Sequence, residues 1–177
     1  MNIIRTITQE EAESFWALRL EALQTNPTVF GSSYEEALHT SAEVVKERLR
    51  CDGNQFVLGA YSGENRLVGM VGFKRETSIK AKHKSFIWGM YVTPSFRQHG
   101  IGRLLMEEAL RRASAMHGLD LVLLSVVTSN EGARKLYHSL GFETYGTERC
   151  ALKIGGVCYD EDHMVYWIPT LRAKDEV

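Results

Sequence analysis

The stretch that decides the fold is FIWGMYVTPSFRQHGIGRLL, residues 86–105. Its first part, Phe86 to Val92, is rich in aromatic and branched side chains, and it stops at Thr93-Pro94, where proline disfavours further strand pairing. Its last part opens a helical pattern that runs from Ile101 to Met116. The residues between, Arg97 to Gly102, are therefore predicted to form a turn between the end of an apolar strand and the start of an amphipathic helix.

This turn has the chemistry of an anion site. The first amides of a helix have no partner within the helix and lie at the positive end of its dipole. Glycine lets a phosphate approach those amides without a Cβ in the way. The segment is neither the G-x-G-x-x-G of a dinucleotide fold nor a Walker motif. Taken alone, it fits a pyrophosphate site and a turn that only caps a structural helix about equally well.

Before this stretch the sequence predicts a helical region and then a meander of strands. A short strand covers Asn2 to Ile7, and Thr8-Gln9-Glu10-Glu11 fits the capping box of a helix. The apolar side of that helix is formed by Phe15, Leu18, Leu20, Ala22 and Leu23. An interrupted helical stretch follows over 34–49, and the segments 56–61 and 67–73 are predicted to form a hairpin.

After this stretch the pattern becomes a strand-helix-strand crossover. The sequence predicts a strand from Leu119 to Val127 and a helix from Glu131 to Ser139. Two more strands, Phe142 to Leu152 and Val157 to Trp167, are joined by a turn containing two glycines. We expect one mixed α/β domain over residues 1–171 and a frayed tail over 172–177.

Composition excludes several classes of protein. The 177 residues include 21 Lys and Arg against 22 Asp and Glu, and no run of like charge predicts a nucleic-acid or membrane partner. The first residues lack the features of a signal peptide, and no stretch approaches a membrane span. Three cysteines without a C-x-x-C pair argue against a complete disulfide framework and favour a reducing compartment. We therefore expect a cytoplasmic protein.

A series of motifs in the second half resembles a known family. In order along the chain stand Val92-Thr93-Pro94, the turn Arg97 to Gly102, a long helix, a strand, the run Asn130 to Tyr137, and Leu140-Gly141-Phe142. This order and spacing resemble the GNAT superfamily of N-acetyltransferases. The resemblance extends over residues 86–142.

The resemblance implies a fold, a donor and a reaction. The fold would be a mixed, mostly antiparallel central sheet flanked by helices, with a splayed pair of strands that forms the acetyl-CoA site. The reaction would be direct transfer of an acetyl group from acetyl-CoA to a primary amine of a small molecule, peptide or protein. The alternative is a catalytically silent module that binds acetyl-CoA or CoA. Some relatives pair through an exposed C-terminal strand, so a homodimer is an open expectation.

The resemblance also assigns residues to the donor. Backbone atoms of a strand would pair with the pantetheine arm, amides of the turn would hold the pyrophosphate, and an asparagine would contact the arm from the other side. These residues are Met90, Tyr91, Val92, Arg97, Gln98, His99, Gly100, Ile101, Gly102, Arg103 and Asn130. For Asn130, the role of helix N-cap is an equally ordinary explanation.

The residues that act in catalysis and bind the acceptor are less fully defined by the sequence than those that bind the donor. The resemblance makes Tyr137 the acid beside the sulfur, whereas without it a core tyrosine is the simpler interpretation. Residues 86–92 contain no acid, which favours a water relay to a carboxylate such as Glu35, Glu36 or one of Asp160 to Asp162. The candidate acceptor residues are Phe30, Tyr34, Glu35, Trp88 and Tyr159. The histidines show no metal-ligand spacing, so no metal is expected.

Overall fold

The computed structural model describes residues 3–169, so the predicted tail lies outside the described residues. The strands are β1 (Ile3–Thr6), β2 (Gln55–Tyr61), β3 (Leu67–Arg75), β4 (Lys84–Val92), β5 (Leu121–Val127), β6 (Glu143–Ile154) and β7 (Val157–Trp167). The helices are α1 (Ala12–Thr25), α2 (Tyr34–Leu38), α3 (Ala42–Arg48), α4 (Ile101–Ser114) and α5 (Glu131–Ser139). Short 3₁₀ turns at Gln9–Glu11 and Pro94–Phe96 precede α1 and α4.

The strands form a single mixed sheet in the order β1-β2-β3-β4-β5-β7-β6. Neighbouring strands are antiparallel except β4 and β5, which are parallel. The parallel step follows from the crossover through α4, because a parallel connection needs a long excursion over one face of the sheet. The mixed, mostly antiparallel fold predicted from the sequence is confirmed.

Strands β4 and β5 part after a short paired segment. Their pairing covers only Lys84–Phe86 against Leu121–Leu123. Beyond it, β4 stays paired with β3 as far as Val92, and β5 stays paired with β7 as far as Val127. Each strand is thus held by its outer neighbour while the gap between them opens, and the splayed pair implied by the resemblance is present.

A bulge in β4 accompanies this parting. Gly72 of β3 pairs with Trp88 and Met70 pairs with Tyr91, so β4 carries one more residue than β3 between these partners. Gly89 takes a φ of 63° in this bulge, a conformation that glycine adopts without a Cβ penalty. A bulge bends its strand and re-aims the following residues, which here are the ones that border the gap.

Helices cover both faces of the sheet. Helix α4 packs against one face through Ile101, Leu105, Met106 and Ala109, which belong to the larger core cluster. Helix α1 belongs to a second cluster with α3 on the other face. The predicted apolar side of α1 is buried at Phe15, Leu18, Ala22 and Leu23, whereas Leu20 is only half-buried.

The β6–β7 hairpin contains a disulfide that the cysteine count did not predict. Cys150 and Cys158 are bonded, with Cα atoms 4.6 Å apart. A bulge of β6 between Glu148 and Leu152 holds Cys150 opposite β7 at the separation that a disulfide requires. The odd count reflects one bonded pair plus the exposed free thiol of Cys51.

Candidate active site

A cavity of about 790 Å³ lies where β4 and β5 part. Its volume is in the range of ordinary ligand sites. Thirteen residues proposed from the sequence border it: Phe30, Trp88, Met90, Tyr91, Val92, Arg97, Gln98, Gly100, Ile101, Gly102, Arg103, Asn130 and Tyr137. Four others are not among its lining residues: His99, Tyr34, Glu35 and Tyr159.

One end of the cavity is formed by the turn before α4. Gln98 and Gly100 have φ values of 64° and 76°, and Gly100 is the N-cap of the helix. Among the described residues, no hydrogen bond uses a backbone amide of residues 98–103. Successive unpaired amides at a helix start form a concave set of donors that suits an anion with several oxygens.

The side chain of Arg97 folds back toward the strand. Its Nε donates to the carbonyl of Val92 at 2.9 Å, and its guanidinium carbon lies 5.5 Å from the centre of the Tyr91 ring. These contacts fix the turn to the end of β4. They also use part of the donor capacity of Arg97 within the protein.

One wall of the cavity is the free edge of β4. From Ile87 onward this edge has no ladder partner on β5, so its backbone groups face the gap. The side chain of Tyr91 points toward α1, where its hydroxyl donates to Glu21 at 2.9 Å and lies 3.1 Å from the Thr25 hydroxyl. An extended ligand can pair with such an edge as an additional strand.

Residues of α5 form the opposite wall. Asn130 caps this helix by accepting a hydrogen bond from the Ala133 amide at 3.3 Å. Tyr137 is 6% exposed and borders the cavity, and its hydroxyl forms none of the hydrogen bonds found among residues 3–169. Burial raises the pKa of Tyr137 to about 12, so its phenol keeps its proton at neutral pH.

The residues that form the parted strands, the free amides and the α5 wall lie within a segment that matches a known family. A family model described as the acetyltransferase (GNAT) family matches residues 15–142, which is most of the chain. The chain belongs to this family.

Curated relatives of this GNAT chain are N-acetyltransferases. It is 34% identical over 103 residues to the N-alpha-acetyltransferase RimI of Mycobacterium tuberculosis, which covers 58% of this chain and 61% of that protein. It is 28% identical over 142 residues to an uncharacterized N-acetyltransferase of Methanocaldococcus jannaschii, which covers 79% of this chain and 60% of that protein. The matched part thus spans about three fifths of each relative.

Solved structures share the fold. A GNAT acetyltransferase from Streptococcus pneumoniae superposes with a TM-score of 0.84 at 23% identity, covering 95% of this chain and 100% of that one. A putative acetyltransferase from Salmonella typhimurium, solved with its cofactor acetyl-CoA, superposes with a TM-score of 0.78 at 16% identity, covering 95% and 94%. At these identities the likeness shows the fold alone.

The GNAT site also contains a chain of polar groups that sequence patterns did not reveal. Ser125 of β5 borders the cavity, and its hydroxyl lies 2.8 Å from Nδ1 of His163 on β7. The other ring nitrogen of His163, Nε2, lies 3.1 Å from a carboxylate oxygen of Glu148 on β6. The Tyr145 ring stacks on the imidazole at 6.0 Å between centres. Hydroxyl, imidazole and carboxylate thus lead from the cavity toward the surface.

The carboxylates that the sequence suggested as bases do not border the cavity. The buried Asp162 pairs with Arg134 at 2.9 Å and accepts from Thr147 at 2.7 Å, so its charge is compensated within the protein. Asp160 pairs with Arg149 at 2.6 Å. Glu161 lies beside the polar chain on β7, and burial raises its pKa. None of the carboxylates of residues 3–169 borders the cavity, and no group of potential metal ligands occurs there.

Proposed function

We propose that this chain is an acetyl-CoA-dependent N-acetyltransferase that transfers the acetyl group directly to a primary amine. The observation that carries the proposal is the joint position of three features around one cavity. Unpaired amides lie at one end, a free strand edge forms one wall, and Tyr137 and Ser125 border the space. Family membership and the acetyl-CoA bound to the Salmonella relative support the identity of the donor.

The chain's own groups fit the donor along its length. The amides of residues 98–103 would bind the pyrophosphate, and the free edge at Met90–Val92 would pair with the pantetheine arm. Asn130 would contact the arm from α5 in addition to capping that helix. This arrangement directs the thioester toward the part of the cavity where Tyr137 and Ser125 lie.

The Ser125–His163–Glu148 chain would accept the proton of the acceptor amine. An alkylammonium has a pKa near ~10 and must become neutral before it attacks. Ser125 would take a proton from the amine while its own proton passes to Nδ1 of His163, and Glu148 would stabilise the resulting imidazolium. The water relay expected from the sequence is then unnecessary, because Ser125 borders the cavity and its hydroxyl contacts His163.

Two groups would act on the thioester. A β4 amide at Met90 or Tyr91 would donate to the carbonyl oxygen as negative charge develops and the C–N bond forms. When the C–S bond breaks, Tyr137 would give its proton to the departing sulfur. The nitrogen would release its second proton to solvent, from which Tyr137 later recovers one. Burial raises the pKa of Tyr137 to about 12, so the phenol holds its proton until the C–S bond breaks.

The proposal is tested by incubating the purified protein with acetyl-CoA and a panel of primary amines and measuring free thiol release. Mass spectrometry of the products must show an acetylated amine. The silent module is the competing outcome: acetyl-CoA raises the melting temperature, but no amine in the panel releases thiol above the amine-free rate. Absence of any thermal shift at saturating acetyl-CoA would overturn both alternatives.

A further inference from the structure

A buried cation without an acidic partner lies next to the side of the cavity that Phe30 and Trp88 border, which is called the acceptor side below. Arg19 of α1 is 5% exposed, and its Nη1 is fully buried without a hydrogen-bond partner among the described residues. Arg19 takes part in none of the ion pairs found in residues 3–169. Buried guanidinium groups are normally paired, because an uncompensated charge is costly to remove from water.

The neighbours of Arg19 offer little compensation. Its guanidinium carbon lies 4.8 Å from the centre of the Phe30 ring, which covers a face of the group but leaves its in-plane donors without acceptors. Burial and the charge of Arg48 lower the pKa of Arg19 to about 10, so the side chain remains charged at neutral pH. Glu21 follows Arg19 by two residues on α1, but its carboxylate accepts a hydrogen bond from the Tyr91 hydroxyl.

The free donor lies next to a glycine of the cavity wall. A Cβ placed on Gly89 would lie 3.5 Å from Nη1 of Arg19, and Gly89 borders the cavity. Phe30 and Trp88, which border the cavity too, flank this position. Because Gly89 has no side chain, none from this residue separates Nη1 of Arg19 from the cavity wall.

We propose that Arg19 binds the carboxylate of the acceptor, so that the preferred acceptors are free amino acids or closely similar amino carboxylates. The inference rests on the proposed function and names the substrate class of the same site. Gly89 directly precedes Met90, and neighbouring Cα atoms are about 3.8 Å apart. An acceptor that reaches both the thioester beside Met90 and the donor behind Gly89 must therefore carry its amine and carboxylate a few bonds apart.

The test compares each amino acid with its own carboxamide as acceptor. The wild-type protein is expected to prefer the acid in kcat/KM, and Arg19→Met to lower kcat/KM for the acid about 10- to 100-fold while leaving the amide within a few-fold. Arg19→Lys is expected to recover part of the loss. Arg66→Met is the matched control, since Arg66 is exposed and does not border the cavity.

Folding and binding are followed separately from turnover. Arg19→Met is expected to keep the wild-type melting temperature or exceed it, because it removes an uncompensated buried charge. Calorimetry in the presence of CoA is expected to detect binding of a free amino acid to the wild type and not to Arg19→Met. A large loss of stability, equal use of acid and amide by the wild type, or equal effects on both acceptors would overturn the inference.

Failure of this inference is distinguishable from failure of the proposed function. If Arg19→Met releases thiol as well as the wild type with the amino acid and with its carboxamide, the enzyme stands and the carboxylate site is wrong. If no amine releases thiol and acetyl-CoA does not bind, the proposed function is wrong. The calorimetric titration of amino acids then decides the Arg19 site by itself.

Discussion

Ser125 and His163 are 38 residues apart in the chain, yet the hydroxyl of one lies 2.8 Å from Nδ1 of the other. They meet because β5 and β7 are antiparallel neighbours that pair these two residues directly. A side chain directly opposite on an adjacent strand is within contact distance, so strand register alone creates the pair. The register also leaves Ser125 facing the gap between β4 and β5.

Removing the imidazole is expected to slow the chemical step. His163→Gln and Ser125→Ala should each lower kcat about 100-fold or more, as loss of a general base typically does, with little change in the Kd for acetyl-CoA. Steady-state kinetics and calorimetry measure the two quantities. His117→Gln is the control, since His117 is exposed and does not border the cavity. Wild-type kcat in both site variants would exclude this chain of groups as the base.

The same three residue types also occur in enzymes that use a nucleophilic serine. Direct transfer predicts that Ser125 carries no acetyl group at any stage. Intact-protein mass spectrometry after incubation with acetyl-CoA in the absence of amine should therefore show the unmodified mass. An acetyl group on Ser125 that disappears when amine is added would replace direct transfer with a two-step mechanism.

Tyr137→Phe is expected to lower kcat about 10- to 100-fold, within the lower range for loss of a general acid, and to leave acetyl-CoA binding nearly unchanged. The ring packs 5.9 Å from that of Phe142, and phenylalanine preserves this contact. Because burial raises the pKa of Tyr137 to about 12, its ionisation should produce no fall in wild-type activity at neutral or mildly alkaline pH. If the variant has the same kcat as the wild type, Tyr137 only packs in the core and is not the acid.

The sequence predicted the fold well because its elements are defined by local patterns. Helix α5 was placed with its observed bounds, and α4 with its observed start, from apolar spacing and the glycines before it. The turn residues Gly100 and Gly102 could be identified because a positive φ, as at Gly100, and a close approach, as at Gly102, both favour glycine.

The acceptor side was harder to predict because it depends on contacts between distant segments. Ser125, Glu148 and His163 come from three strands, and no spacing in the sequence joins them. Arg19 resembles any polar residue of an amphipathic helix until its burial and missing partner are seen. Conversely, Tyr34 and Tyr159 were proposed from residue type alone, and the fold places them away from the cavity lining.

A side chain at Gly102 should obstruct donor binding. A Cβ there would lie 2.8 Å from Cε of Met90 and 3.5 Å from Cδ2 of Leu136, so Gly102→Val crowds the cavity beside the free amides. The variant is expected to lose most of the rise in melting temperature that saturating acetyl-CoA gives the wild type. Gly63→Ala is the control, because its Cβ would meet no atom within 4 Å. A full thermal shift in Gly102→Val would contradict the assignment of this end of the cavity.

Glu11 should contribute to the acid sensitivity of the fold, because it links β1 to β2. Its carboxylate accepts two hydrogen bonds from Arg5 of β1 at 2.8 Å and one from the Tyr61 hydroxyl of β2 at 2.8 Å. The hydrogen bonds from Arg5 are the largest cause of the lowering of the Glu11 pKa from 4.5 to about 2, and the hydrogen bond from the Thr8 amide lowers it further.

A carboxyl whose pKa is lowered by folding stabilises the native state above its unfolded pKa, and this contribution is lost as the pH falls through the folded value. Wild-type melting temperature should therefore decline between about pH 4.5 and pH 2 more steeply than that of Glu11→Gln, which lacks the titrating group. Glu13→Gln, at an exposed position on α1, should retain the wild-type slope, and identical slopes in all three proteins would show that Glu11 does not couple folding to pH.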